Sequence, residues 1–132
     1  MPGRMVTLPW TSTAKADPAR EYVALATALP LRRYRTIPRF FRLFRRVNEQ
    51  LRGTPGVVGW TMRAAFLRKR FWTLSVWDDE RALAAFVGRA PHVDVMDALS
   101  GTMTAPKFVR WQVLGSEVPP SWDVALAKLA LG

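Results

Sequence analysis

"FWTLSVWDDERALAAF", Phe71 to Phe86, changes its period half-way. From Phe71 to Trp77 aromatic, β-branched and small residues alternate with period two, whereas Leu83, Phe86 and Val87 recur at the helical spacings of three and four. The switch falls at Asp78 and Asp79. Aspartate is a favoured N-cap, because its carboxylate accepts the orphan amide hydrogens of a first turn and suits the positive end of the helix dipole. A strand ending in Trp77 therefore runs straight into a helix. Pockets form at such corners, but a large aromatic there serves equally well as core filler, and the residues leave both readings open.

Working outward, "VVGWTMRAAFL" and "RFWTLSVW" read as two strands joined in a hairpin at Arg68-Lys69. Upstream, "EYVALATALPL" is a strand ended by Pro30, followed by a helix closed by Gly53 and Pro55-Gly56. Downstream, the second helix breaks at Gly88, restarts at Pro91 and runs through Leu99, and "KFVRWQVL" is the fourth strand. Strand, helix, strand, strand, helix, strand is the split βαβ pattern of a ferredoxin-like α+β fold, with an antiparallel sheet carrying two helices on one face. The domain is expected over 19–115. A loose extension, 1–18, precedes it, and a tail, 116–132, follows with a short helix carrying Trp122, Leu126 and Leu129 after the potential N-cap Ser121.

The 132 residues suit one domain, and 49% apolar residues argue for a packed chain in spite of a net charge of +10. With no cysteine and a single histidine, thiolate and multi-histidine metal sites within one chain are excluded. No apolar run approaches the ~20 residues that cross a bilayer and no signal-peptide core follows Met1, so a cytoplasmic protein without membrane attachment is expected. "GTPGVVG" joins a helix to a strand, the reverse of a dinucleotide loop. Neither a phosphate-binding loop nor a G-x-S-x-G elbow is present.

Much of the charge lies in "YRTIPRFFRLFRRVNEQLRG". Ile37, Phe40, Leu43, Phe44, Val47 and Leu51 share one helical face, and Arg35, Arg39, Arg42, Arg45 and Arg46 the opposite one. The stripe reads as a solvated face or as a footprint for an anion. No nucleic-acid motif accompanies it, so no specific nucleic-acid partner is expected. On the strands, Tyr22, Val57, Trp60, Met62, Phe71, Trp72, Trp111 and Val113 fall on both faces, more than two helices cover. An exposed apolar sheet face implies a partner, and a homodimer packed sheet to sheet is the expectation.

From Tyr22 to Leu114 the chain resembles the dimeric α+β-barrel superfamily that includes the antibiotic biosynthesis monooxygenases and haem-degrading monooxygenases. The likeness is carried by "FWTLSVWDDERALAAFV", an apolar third strand ending in tryptophan, an acidic cap and a helix with alanine and phenylalanine near its middle. "FVGRAPHVDVM", with a histidine after the break in the second helix, also resembles uncharacterised members related to the monooxygenase branch. In this superfamily the tryptophan ending the third strand often faces a pocket between sheet and helices, and Trp77 matches it. The oxygenase branches commonly pair it with an asparagine on the first strand. "EYVALATALPL" has none, and Asn48 belongs to the first helix.

The resemblance implies a small monooxygenase-like enzyme for an aromatic or polycyclic substrate, without cofactor, in which the substrate anion itself reacts with dioxygen. Trp77 and His92 are then the candidate catalytic residues, and Trp77, Thr73, Ser75, Arg63 and Arg110 the candidate substrate contacts. His92 shares a helical stripe with Met96, Leu99 and Met103, so it points to the apolar side as an interior residue, a proton acceptor or, through the resemblance, a haem ligand. Haem binding and a dimeric binding module without chemistry are the alternatives.

Overall fold

The structure, a computed structural model, describes residues 5–89 and 92–131. Period-two sequence becomes strand at β1 (Met5–Thr7), β2 (Thr11–Ser12), β3 (Glu21–Pro30), β4 (Val57–Ala65), β5 (Arg70–Trp77) and β6 (Lys107–Leu114). The helices are α1 (Ile37–Arg52), α2 (Glu80–Val87), α3 (His92–Leu99) and α4 (Trp122–Leu131). All pairings are antiparallel, in the order β1-β4-β5-β3-β6, with β2 on β4. Without β1, β2 and α4, this is the ferredoxin-like α+β arrangement: β3 and β5 lie at the centre, and the helices follow β3 and β5.

The local chemistry explains the boundaries. Asp79 caps α2, its carboxylate accepting the amide of Ala82 at 2.8 Å. Pro38 sits in the first turn of α1, where a missing amide costs nothing, and Gly53 ends it. Lys69 takes the left-handed conformation (φ 56°) that turns β4 into β5. The second helix is interrupted, α2 ending at Val87 and α3 starting at His92. Ala90 and Pro91, the expected point of resumption, lie outside the described residues.

On one sheet face Val23, Leu29, Met62, Phe71 and Trp77 meet Phe40, Leu43, Val47 and Leu51 of α1 and Leu83 and Phe86 of α2. Phe71, fully buried, stacks on Phe40 at 4.6 Å and takes Phe41 edge-on at 5.4 Å. At ~1.5–3 kcal/mol for each large side chain buried, this layer fixes α1 on the sheet.

The opposite face is filled from within the chain. Ala24, Ala26, Leu74 and Val76 have no exposed surface, because α4 and the N-terminal segment of the same chain cover them. Alanines on β3 let Ala125 and Leu129 of α4 come close, and Trp72 and Trp111 flank that contact. The aromatic excess that pointed to a second copy is thus buried within one chain. Nor is the extension loose: Met5 to Thr7 pair with Ala65 to Arg63, and Thr11 pairs with Trp60. Trp10 lies so close to Gly59 that a Cβ there would sit 2.5 Å from its ring.

Candidate functional site

Strand parity and the interrupted helix together build a cavity of about 100 Å³ between the sheet and α1, α2 and α3. Thr73, Ser75 and Trp77 of β5 and Thr27 of β3 form its floor, Phe44 and Trp60 close one side, and Phe86, His92, Met96 and Leu99 supply the helix wall. Its lining is mostly apolar, and the Trp77 indole and the hydroxyls of Thr27, Thr73 and Ser75 are paired among themselves. Trp77, 1% exposed, donates its Nε1–H to Ser75 Oγ at 2.8 Å, and the hydroxyls of Thr27 and Thr73 share a hydrogen bond of 2.5 Å. Among the described residues no buried side-chain nitrogen or oxygen lacks a partner.

Trp77 and His92 line the same cavity with Phe86 between them. The Phe86 ring lies 5.0 Å from Trp77 and 4.9 Å from His92, centroid to centroid. The four helical turns that separate the two in sequence are folded back by the break after Val87. Gln50 of α1 holds that break: its Oε1 accepts the backbone amide of His92 at 2.9 Å, while its Nε2 donates to the Phe86 carbonyl at 3.5 Å. His92 Nδ1 is 3.2 Å from the Val87 carbonyl. A carbonyl only accepts, so the neutral ring carries its proton on Nδ1 and leaves the Nε2 lone pair uncommitted. Burial holds the imidazole below its usual 6.5, and the Val87 hydrogen bond opposes this less strongly.

The two expected cations are elsewhere. Arg63 falls between the inward-facing Met62 and Ala64, so parity sends it to the opposite face, where Nε donates to Thr7 Oγ1 at 2.9 Å and the guanidinium lies 5.0 Å from the Trp122 ring centre. Arg110 has the helix-face register of Leu25 but sits exposed on the edge strand, paired with Glu80 at 2.8 Å. Neither lines the cavity. Thr27, Phe86 and Gln50 were not singled out from the sequence. Thr27 shares the inward parity of Val23, Leu25 and Leu29, a signal that was available; the role of Gln50 depends on where α3 begins.

Size decides what enters. An apolar cavity of about 150 Å³ accepts benzene, and ligand sites for drug-sized molecules run to roughly 300–1,000 Å³. A void of about 100 Å³ therefore has no room for a polycyclic substrate or for haem in this arrangement. Nor does any group of three metal-ligating side chains occur among the described residues. Haem iron needs only one axial side chain, so it is the volume of the cavity, and not a missing set of ligands, that does not fit a haem here.

No family model matches the sequence, and no curated protein matches it. Solved structures do match the fold. A candidate monooxygenase from Fusobacterium nucleatum aligns with TM-score 0.71 at 11% identity, over 85% of this chain and 51% of that one. SnoaB, a cofactor-independent oxygenase from Streptomyces nogalater, aligns with TM-score 0.57 at 18% identity, over 78% of this chain and 100% of that one. The chain has the ferredoxin-like fold of the antibiotic biosynthesis monooxygenases. LmHde, a heme-degrading enzyme from Listeria monocytogenes, shares this fold too, with TM-score 0.59, 18% identity, and coverage of 80% of this chain and 69% of that one. This chain spans about half the length of the Fusobacterium protein. Among the described residues no helix is long and apolar enough to cross a membrane.

Proposed function

We propose that the protein is a small cofactor-independent monooxygenase acting on an electron-rich, one-ring phenol in the Trp77–His92 cavity. The observation that supports this best is His92, a neutral imidazole tied through Nδ1 to Val87, with Nε2 free at the wall of an otherwise apolar cavity. A general base needs a free lone pair and a pKa near or below the working pH, and a mostly apolar wall favours a delocalised anion over a localised one. His92 Nε2 takes the phenolic proton. The phenolate then supplies the electrons for dioxygen, which bonds to the ring carbon para to the oxygen. Loss of water from that hydroperoxide, with the proton of the same carbon, leaves a p-quinone. Phenol and O2 thus become quinone and H2O, and no outside reductant is needed. Trp77 and Phe86 bound the ring, and Ser75, which accepts from Trp77, keeps its own hydroxyl proton for the substrate oxygen.

The fold shared with SnoaB supports this chemistry over a binding module. A one-ring substrate is the size nearest to the cavity, and because it is larger than the void of about 100 Å³ it must displace lining side chains to enter. Oxygen-electrode assays with a series of methoxy- and hydroxyphenols test the reading. One-for-one uptake of O2 and formation of quinone is expected, with a loss of about 10²-fold or more in His92→Gln. Absence of turnover across the series, or turnover unchanged in His92→Gln, would overturn it.

A further inference from the structure

Beside this cavity lies a groove of about 440 Å³ between α1 and the N-terminal strands on β4. We infer that it binds a planar aromatic carboxylate, held by Arg45 and Arg52 at its rim and by Asn48 within it. The offsets dictate the arrangement: Phe41, Arg45, Asn48 and Arg52 recur at four, seven and eleven and so form one stripe along α1. All four line the groove, opposite Leu8, Thr11 and Trp60. This volume lies within the usual range for a ligand site.

Polarity and charge select the ligand. Trp60 Nε1 donates to Asn48 Oδ1 at 2.6 Å, which fixes the amide and leaves its two Nδ2 hydrogens as donors. The ion pairs among the described residues are Arg20–Asp78 and Arg110–Glu80. Arg45 and Arg52 are therefore not neutralised, although Glu49 stands four residues after one and three before the other. Guanidinium forks match a carboxylate in two parallel bonds, and Phe41, Phe44 and Met62 supply an apolar wall for the ring attached to it. A bare anion would leave that wall unused, and a neutral ring would leave the arginines unused.

Phe44 and Trp60 belong to both the groove and the Trp77–His92 cavity, so they are the partition between them. The site nevertheless stands on its own residues and holds whether or not the cavity is catalytic. Titration of 2-naphthoate into the full-length protein, followed by the indole N–H resonance of Trp60 (assigned by its loss in Trp60→Phe), should give saturable binding. 2-Naphthamide should bind at least tenfold more weakly. Arg45→Gln/Arg52→Gln, both exposed, should lose at least tenfold. Asn48→Asp, which keeps an acceptor for Trp60 but removes the donors and adds a negative charge, should lose as much. Equal affinity for the amide, unchanged affinity in the double variant, or inorganic phosphate competing as well as naphthoate would each overturn the assignment. His92→Gln should leave naphthoate binding unchanged; loss of binding there would place the ligand in the cavity and end the inference, whatever the outcome for turnover.

Discussion

The two faces of the sheet are finished differently. One carries α1 and an interrupted second helix, and a void remains there between Trp77, Phe86 and His92. The other is closed by α4 and Trp10, with small residues on β3 so that the covering helix sits close, and every strand residue at its centre is buried. A continuous helix lays one straight ridge on a sheet. Here the helix is interrupted between Val87 and His92, and Phe86 and His92, on either side of the interruption, both line the void. On the second face α4 is unbroken, and the hollows of about 500 and 390 Å³ beside it are lined by α4 together with β3, β5 and β6.

The sharpest test of this contrast lies in its packing. Phe71→Ala removes a fully buried ring in contact with Phe40, Phe41 and Phe66 and should cost about 3–5 kcal/mol in urea unfolding, the largest single effect expected. Leu129→Ala, on the covered face, should cost about 2–4 kcal/mol. If α4 covers this face in solution, the midpoints of both variants and of the parent are independent of protein concentration. A midpoint rising with concentration would mean that a second copy does the covering, as the strand aromatics alone suggested.

Ser75→Ala probes the cavity floor with a smaller change. It removes the acceptor of the buried Trp77 Nε1–H, which then has no partner within the sheet, at a cost of about 1–3 kcal/mol. Ser75→Thr keeps the oxygen and should recover most of it. Equal stability of Ser75→Ala and the parent would mean that the indole is not held by this bond, and that Trp77 does not present a fixed wall.

The fold was legible because its signals are local. The change of period at Asp78-Asp79 marks the β5–α2 corner, and the hydrophobic face of α1 repeats through Leu51; both belong to short stretches whose meaning does not depend on the rest of the chain. Trp77 was legible as a corner residue for the same reason. What the sequence hid is non-local. Whether Trp72 and Trp111 meet solvent, a second copy or α4 depends on where a tail some 10 residues beyond β6 returns, and nothing in "SWDVALAKLALG" names its target. Arg63 and Arg110 were assigned to the site by charge alone. Parity with Met62 already argues against Arg63, while the exposure of Arg110 follows from its edge strand, known only once the strand order is known. Gln50 reaches His92 across 42 residues, a pairing that no spacing rule reveals.

The smallest expected effect concerns His92, and it tests whether the broken-helix face really encloses a neutral base. Burial holds its pKa below 6.5 in the folded chain, while the unfolded chain titrates near 6.5. As pH falls through 6.5, the unfolded state takes up the proton first, so it gains free energy relative to the folded state. Stability is therefore flat above about pH 7.5 and declines from 6.5 downward until the folded imidazole is protonated too. No other side chain has its ordinary pKa in this window, because His92 is the only histidine and the chain has no cysteine. Urea midpoints between pH 7.5 and 5.5 should fall with acid in the parent, and that slope should vanish in His92→Gln, whose amide can still donate to the Val87 carbonyl. A parent that gains stability on acidification over this range would mean that a charged imidazole is welcome in the fold. The proton acceptor would then already be occupied at the pH where a phenol has to be ionised, and the acid limb expected for turnover below pH 6.5 would move with it.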